Sequence, residues 1–490
     1  MLFYVSTVAL LAIFSGCGVS HQTFDDSGIT AENSGNSGFQ LVPEYEKTTG
    51  IMVNPGLLLY DNRVVKNDDS RFYKELSREY QGMLKALIEN LPTTTIYAFA
   101  LNRLEPDMQK AFGTQTSIHD LMQNQWLKNT VKDPKNVVLV ASSEPDRWTR
   151  DYGAFSVRDS QGTKKYALME YYSAMGAGEN RGLEDNQKLA QLLRLDLRRI
   201  KNKPDDLKNG RVEGGGIMVD SKGRCFVSPS VPDQSWGCTE IVRLDSLPFD
   251  GTGHVDLYAK LINDQTVALA DFESDLLLWL KEPEIIVEKE VIPGEEYHAC
   301  DATLCGGQES KNPVLNFEKD AQGKELLLTL DAIRKKQSVE AVKKWSRKIS
   351  DINDVKFAHD RSSRTLSLTE LRLQEHVRKT VKKFEEKGFT VKRIKNPQPY
   401  AYLSIKRTLD TKNTVIKERA VITIVYRSYI NSLIVNEKVF VPTFQSAPTK
   451  INTEALDMYR QLGFNKVIPL PMDYHATQAG AVHCLTHDLH

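Results

Sequence analysis

The chain has 490 residues, 40% of them apolar and 26% charged. This is a globular composition, which excludes low-complexity, collagen-like and small disulfide-scaffold classes. Lys plus Arg total 64 and Asp plus Glu total 64, for a formal charge of +0. A neutral chain argues against nucleic acid as the main partner. The longest apolar runs fall short of the roughly 18 residues that a membrane-spanning helix needs.

The first element in chain order is an address. Residues 2–14 are short and apolar, and Phe14-Ser15-Gly16-Cys17 follows. The pattern reads as a secretion signal and resembles a bacterial lipoprotein signal, in which Cys17 carries lipid. The expectation is an exported protein held at the cell envelope through a lipidated Cys17. Residues 18–51, rich at first in Ser, Gly and Asn, read as a flexible tether. The body follows at 52–282 and 366–490.

Within the body, residues 70–91 have helical periodicity and Thr95–Leu101 is strand-like. Residues 136–141 form another strand, and a polar segment then leads to Arg150-Asp151-Tyr152-Gly153. Residues 283–365 are rich in Lys and Glu and read as an insertion. A helix is expected at 368–387, and Asn436-Glu437-Lys438 reads as a hairpin turn. Gly388 and Gly463 each close a helix, followed by Phe and a strand, which is C-cap chemistry. Alternating helices and strands predict an α/β fold.

Six cysteines are present. With Cys17 set aside, Cys225/Cys238 and Cys300/Cys305 form two local pairs, able to bond in an oxidising compartment. Cys484 is left over as a candidate reactive thiol.

Four segments could carry chemistry: Trp148–Gly153, Glu213–Gly216, Gly253–Asp256 and Val482–Thr486. Asp151 ends a polar loop after a strand, where either a functional or a turn role is open. The glycines at 214–216 permit close backbone approach but lack the lysine of a phosphate loop. His254 and Asp256 are two residues apart, so on a strand they would share a face. A thiol, a histidine and several carboxylates suit a cationic electrophile. Guanidinium is such a group: always protonated, and bound by carboxylates through its N–H fork. Its carbon needs an activated nucleophile, and a thiolate can serve.

These segments, in order, resemble the guanidine-modifying, or pentein, superfamily, in particular its agmatine deiminase and bacterial peptidylarginine deiminase branch. The matching residues are Trp148–Gly153, Glu213–Gly215, Gly253–Asp256, Tyr429-Ile430-Asn431 and His483-Cys484. The resemblance implies a five-bladed α/β propeller of ββαβ-type units with a central site, here carrying the charged insertion. It implies that Asp151 and Asp256 hold the guanidinium, that Cys484 attacks its carbon, and that His254 moves protons with support from Glu213. Trp148, Arg150, Asn431 and Asp146 are expected at the substrate. No cofactor and no metal are implied. The implied reaction is hydrolysis of peptidyl- or protein-arginine to citrulline and ammonia.

Agmatine is the alternative substrate. Ala154 stands where agmatine deiminases carry proline, and Tyr172–Gly176 departs from their pattern. Only Arg181 lies where peptidylarginine deiminases grip a substrate carboxylate with an arginine pair. Two readings from other classes stay open. One is a metal site at His298, Cys300 and Cys305, or at the terminal histidines His483, His487 and His490; the other is a non-catalytic binding module on the same fold.

Overall fold

The computed structural model describes residues 31–32, 39–56, 58, 70–104, 106, 109, 115–131, 134–144, 146–169, 182–200, 213–231, 237–247, 250, 252–272, 288–290, 368–397, 400–409 and 415–490. One motif recurs through them: two antiparallel strands, then a third strand parallel to the second. A parallel neighbour demands a crossover, and an amphipathic helix is the usual one.

The motif is plainest near the C-terminus. Strands Leu433–Val435 and Lys438–Thr443 form a hairpin, helix Thr449–Gln461 crosses over, and Lys466–Pro471 pairs in parallel. Asn436 sits in the hairpin turn at φ 57°, a conformation that Asn tolerates. Strands Ala259–Asn263 and Thr266–Phe272, helix Leu368–Glu386 and strand Thr390–Asn396 repeat the arrangement. So do Phe155–Asp159, Lys164–Met169, helix Leu183–Leu193 and Leu197–Ile200. Ile217–Val219, Arg224–Val227 and Glu240–Arg243 keep the strand pattern, with no helix among the described residues of their connection.

The fifth unit joins the two ends of the chain. Strand Gly50–Val53 pairs in parallel with Thr95–Leu101 across helix Ser70–Asn90, and antiparallel with Thr486–Leu489. Strand Val137–Ser142 extends this sheet. A further sheet of Glu288–Glu290, Tyr400–Leu409 and Val415–Val425 stands outside the fivefold pattern.

The crossover helices bury one face each, as the sequence periodicity predicts. Leu76, Tyr80, Met83, Leu84, Leu87 and Ile88 line the core side of the first helix. Leu373, His376, Thr380 and Phe384 do so on the helix at 368–386. Phe384 stacks on Phe226 at 4.7 Å between ring centroids, and Phe389 meets both edge-on, so one aromatic cluster ties two units together. Gly388 and Gly463 take φ 84° and 95°. The Phe389 and Phe464 amides donate back to Phe384 and Tyr459, closing both helices as the C-cap pattern predicts.

Two expectations are corrected or resolved. Residues 39–51 are not tether. Phe39–Leu41 pairs with Phe155–Asp159, and Gly50–Val53 is fully buried. The apolar residues Leu41, Val42 and Ile51 drive this docking, because their burial outweighs the freedom of the segment. Cys225 and Cys238 are bonded, with Cα atoms 5.6 Å apart. Cys17, Arg181, Tyr172–Gly176, His298, Cys300, Cys305 and the 283–365 insertion other than 288–290 lie outside the described residues.

Candidate active site

Each of the five units contributes to one buried centre from the segment just before its opening strand. Asp151 precedes Phe155–Asp159, Glu213 precedes Ile217–Val219, and His254 and Asp256 precede Ala259–Asn263. Asn431 precedes Leu433–Val435, and Cys484 precedes Thr486–Leu489. These residues are far apart in sequence and meet only because the units repeat around a common centre.

Glycines make the approach possible. Residues 214–216 form a single 3₁₀ turn behind Glu213. A Cβ on Gly214 would lie 2.0 Å from the Arg150 carbonyl oxygen, and one on Gly215 would lie 2.5 Å from His254 Nδ1. No side chain fits at either position.

Cys484 is the only free cysteine among the described residues, and it is buried. Its Sγ accepts from Asn431 Nδ2 at 3.2 Å and donates to Asp256 Oδ2 at 3.5 Å. Asn431 Oδ1 in turn accepts from the Ala481 and Cys484 amides, fixing the turn that presents the thiol. A Cβ on Gly480 would lie 2.5 Å from the Trp148 ring and 2.9 Å from Cys484 Cβ, so glycine is what lets both close in.

His254 hydrogen-bonds through Nε2 to Glu213 Oε2, and its Nδ1 lies 3.8 Å from Asp151 Oδ1. It also engages the Cys484 thiol. Burial opposes charge on the ring, but Asp151 and Glu213 outweigh it and hold the His254 pKa well above the usual range. The same burial pushes Asp151 up to about 7, with Glu213 and Asp256 adding to the rise and His254 opposing it. Burial would raise Asp256 too, but its hydrogen bond to His483 and the charges of His483 and His254 bring it below the usual carboxylate range. The Cys484 thiol is pushed up to about 12, first by burial and then by the charge of Asp256.

Asp151 Oδ1 and Asp256 Oδ1 are buried without a hydrogen-bond partner. Buried acceptors left unpaired are costly, and they mark where a donor-rich cation would be stabilised. Two groups could also hold a metal by distance: Asp151, Glu213 and His254, and Glu44, His483 and Asp488. In the second, Arg150 and Lys260 already supply positive charge to Glu44.

Sequence reasoning placed some residues well and others not. His254 and Asp256 do not share a strand face. His254 is extended and Asp256 lies in the 3₁₀ turn Val255–Leu257, so the two side chains find different partners. Arg150 was expected at the substrate, but its guanidinium is held by Glu44 at 2.9 Å and by Asp488. With 3% of its side chain exposed, it braces the C-terminal strand against the N-terminal segment. Asp146 Oδ1 accepts from the Trp148 amide at 3.0 Å, which sets the loop that carries the indole.

Glu44 was not singled out near the centre, and His483 was read only as the neighbour of Cys484 in its motif. Glu44, read as tether, accepts from His483 Nε2 through both oxygens at 3.0 Å. His483 Nδ1 donates to Asp256 Oδ2 at 2.6 Å. The apolar Leu41-Val42-Pro43 before Glu44 was the available signal that this segment packs.

Comparison with solved structures covers nearly the whole chain. An agmatine deiminase of Enterococcus faecalis superposes with a TM-score of 0.50 at 15% identity, covering 92% of this chain and 95% of that one. A provisionally named peptidyl-arginine deiminase superposes with a TM-score of 0.51 at 15% identity, covering 93% and 99%. The chain has the pentein fold. Residues 352–489 of this chain match the family model of Porphyromonas-type peptidyl-arginine deiminase. That stretch holds Asn431, His483 and Cys484. No curated protein matches the chain.

Proposed function

We propose that the chain is a hydrolase of the pentein superfamily that deiminates guanidino groups, and that its substrate is the arginine side chain of peptides or proteins. The observation that carries the reading is the convergence of Cys484, His254, Asp151 and Asp256 on one buried centre, with a carboxylate oxygen of each aspartate unpaired.

Asp151 and Asp256 receive the N–H fork of the guanidinium. Its positive charge cancels the carboxylate field that disfavours a thiolate at Cys484, so the nucleophile forms when substrate is present. Sγ bonds to the guanidinium carbon as the carbon–nitrogen π electrons move onto nitrogen, and the thiol proton leaves with the water that the substrate displaces. His254, held protonated by its two carboxylates, gives a proton to the departing nitrogen. The C–N bond breaks, ammonia leaves, and a thiouronium remains on Cys484. Neutral His254 then takes a proton from water as the water oxygen attacks the same carbon. The C–S bond breaks and the ureido product is neutral, so the two aspartates no longer hold it.

Support for arginine in peptides comes from the family matched by residues 352–489, the segment that supplies the thiol. We also propose export, with lipid on Cys17. The pattern of residues 2–17 and the Cys225–Cys238 bond, which needs an oxidising compartment, support it. Incorporation of labelled fatty acid that persists in Cys17→Ser would refute the lipid site.

The decisive experiment is ammonia release from agmatine, free arginine, a peptide with internal arginine and a peptide with C-terminal arginine, with Cys484→Ala as control. Turnover of the peptides, lost in Cys484→Ala, is expected. Preference for agmatine overturns the substrate and leaves the chemistry. Absence of any Cys484-dependent turnover by folded protein overturns both.

A further inference from the structure

We propose that Arg147 is a specificity-determining residue. Its guanidinium, seated on the Trp148 indole beside Cys484, disfavours substrates that carry a second positive charge. It thereby selects an arginine side chain on a neutral peptide backbone over a guanidino amine such as agmatine. The proposal deepens the deiminase reading and rests on it, but ligand binding tests it without turnover.

Trp148 is a wall beside the thiol. Its ring and Cys484 Cβ close on the same point, 2.5 Å and 2.9 Å from where a Cβ on Gly480 would lie. The guanidinium carbon of Arg147 stands 4.7 Å from the centroid of that ring. The negative face of an indole attracts a cation and holds it in place. Arg147 and Trp148 are both half-buried, so this cation is within reach of solvent. Arg150, three residues on, is 3% exposed and committed to Glu44 and Asp488.

The field around Arg147 is positive. Its charge reaches Tyr80 and His475, which are both fully buried. Burial holds the His475 pKa well below the usual range, and Arg147 lowers it further. Burial raises Tyr80, and Arg147 opposes that rise. The acids beside Arg147 in sequence serve the loop itself. Asp146 Oδ1 accepts from the Trp148 amide at 3.0 Å, and its Oδ2 is buried. Glu144 Oε1 accepts from the Asp146 amide at 3.0 Å.

The centre has the opposite sign, with Asp151 and Asp256 placed for one cation. A substrate therefore enters guanidinium first, and its far end trails past the indole. A guanidino amine carries there an ammonium that stays protonated up to about pH 10. Charges within about 10 Å still interact at 0.1 M salt. An arginine within a peptide carries neutral amides at that end instead.

The test measures binding of butylguanidine and agmatine, which differ by the terminal ammonium, to the full chain with Cys484→Ala, by calorimetry. Butylguanidine should bind about tenfold more tightly at 0.1 M salt, the scale of two unit charges roughly 10 Å apart at an effective dielectric near 20. The ratio should shrink at 0.5 M salt, stay in Arg147→Lys, approach one in Arg147→Gln and invert in Arg147→Glu. Agmatine binding as tightly as butylguanidine, or a ratio unchanged in Arg147→Gln, overturns the proposal. Equal weakening of both ligands in Arg147→Gln would mean that Arg147 merely props the indole, which overturns it too. Binding of neither ligand by folded protein overturns it as well. With Cys484 restored, kcat/KM for the two compounds should follow the same ratios. If the binding ratios hold while the wild type turns over no guanidino compound, the deiminase reading fails and the charge selection stands.

Discussion

Asp151 shows how a single residue at the centre trades stability for binding. Its pKa is raised to about 7, chiefly by burial. An unfolded aspartate titrates near about 3.9. Between those values the folded chain holds a proton that the unfolded chain has lost. The contribution to stability is therefore complete below about pH 4 and falls as pH rises through about 7. Two outcomes follow for one residue. The kcat/KM for a guanidino substrate should rise with pH up to about 7, because the cation needs the ionised carboxylate. Asp151→Asn should abolish turnover yet unfold at a higher temperature than the wild type at pH 8. The gain should be at most about 4 kcal/mol, since the two values lie about three apart and each is worth about 1.4 kcal/mol. A thermal scan at pH 5 and pH 8 checks it, and an equal gain at both values would contradict the burial account. Substrate should narrow the difference at pH 8 by pairing the charge.

The elements were legible where one force dominates them. The helix over Ser70–Asn90 follows from its apolar stripe, and Gly388 and Gly463 from their left-handed C-caps. The site was legible as a set of residue types, but not as a set of partners. Arg150 has the chemistry to meet a ligand, and only the return of the C-terminal strand beside Glu44 commits it to Asp488. The spacing of His254 and Asp256 suggested a strand, whereas a 3₁₀ turn separates their side chains. The Gly214–Gly216 turn is the element on which a local test is sharpest. A methyl at Gly215 would meet the His254 ring at 2.5 Å, so Gly215→Ala should cut kcat by about a hundredfold through displacement of His254. Gly216→Ala would meet Ser228 Oγ at 3.0 Å, a small side chain that can yield, and Val231 at an ordinary 3.5 Å. It should keep most of the activity. Comparable losses in the two variants would show that the turn matters for folding and not for the clearance beside His254.

At the scale of the whole molecule, the ring of units is closed by the chain's two ends, and the thiol sits at the seam. Strand Thr486–Leu489 pairs antiparallel with Gly50–Val53, two residues after Cys484. All four residues of that strand are buried, and so is His490, whose amide donates to Ser156 Oγ at 3.1 Å. Asp488 holds Arg150, and Arg150 holds Glu44, so the last strand is tied by charge as well as by its ladder. A catalytic thiol needs such a fixed surround. Deletion of residues 486–490 should therefore abolish turnover and expose Cys484 to a thiol reagent that the intact chain excludes. It also leaves the Gly50–Val53 edge open, which invites association between chains. The disulfide makes a useful contrast. Cys225–Cys238 spans 13 residues on a different unit. Its reduction should cost about 3 kcal/mol, the chain-entropy value for a loop of that size. A reduced but folded protein should keep its Cys484-dependent rate, because neither sulfur reaches the centre. If reduction removed activity below the unfolding temperature while the deletion preserved it, the seam would not be what positions the thiol.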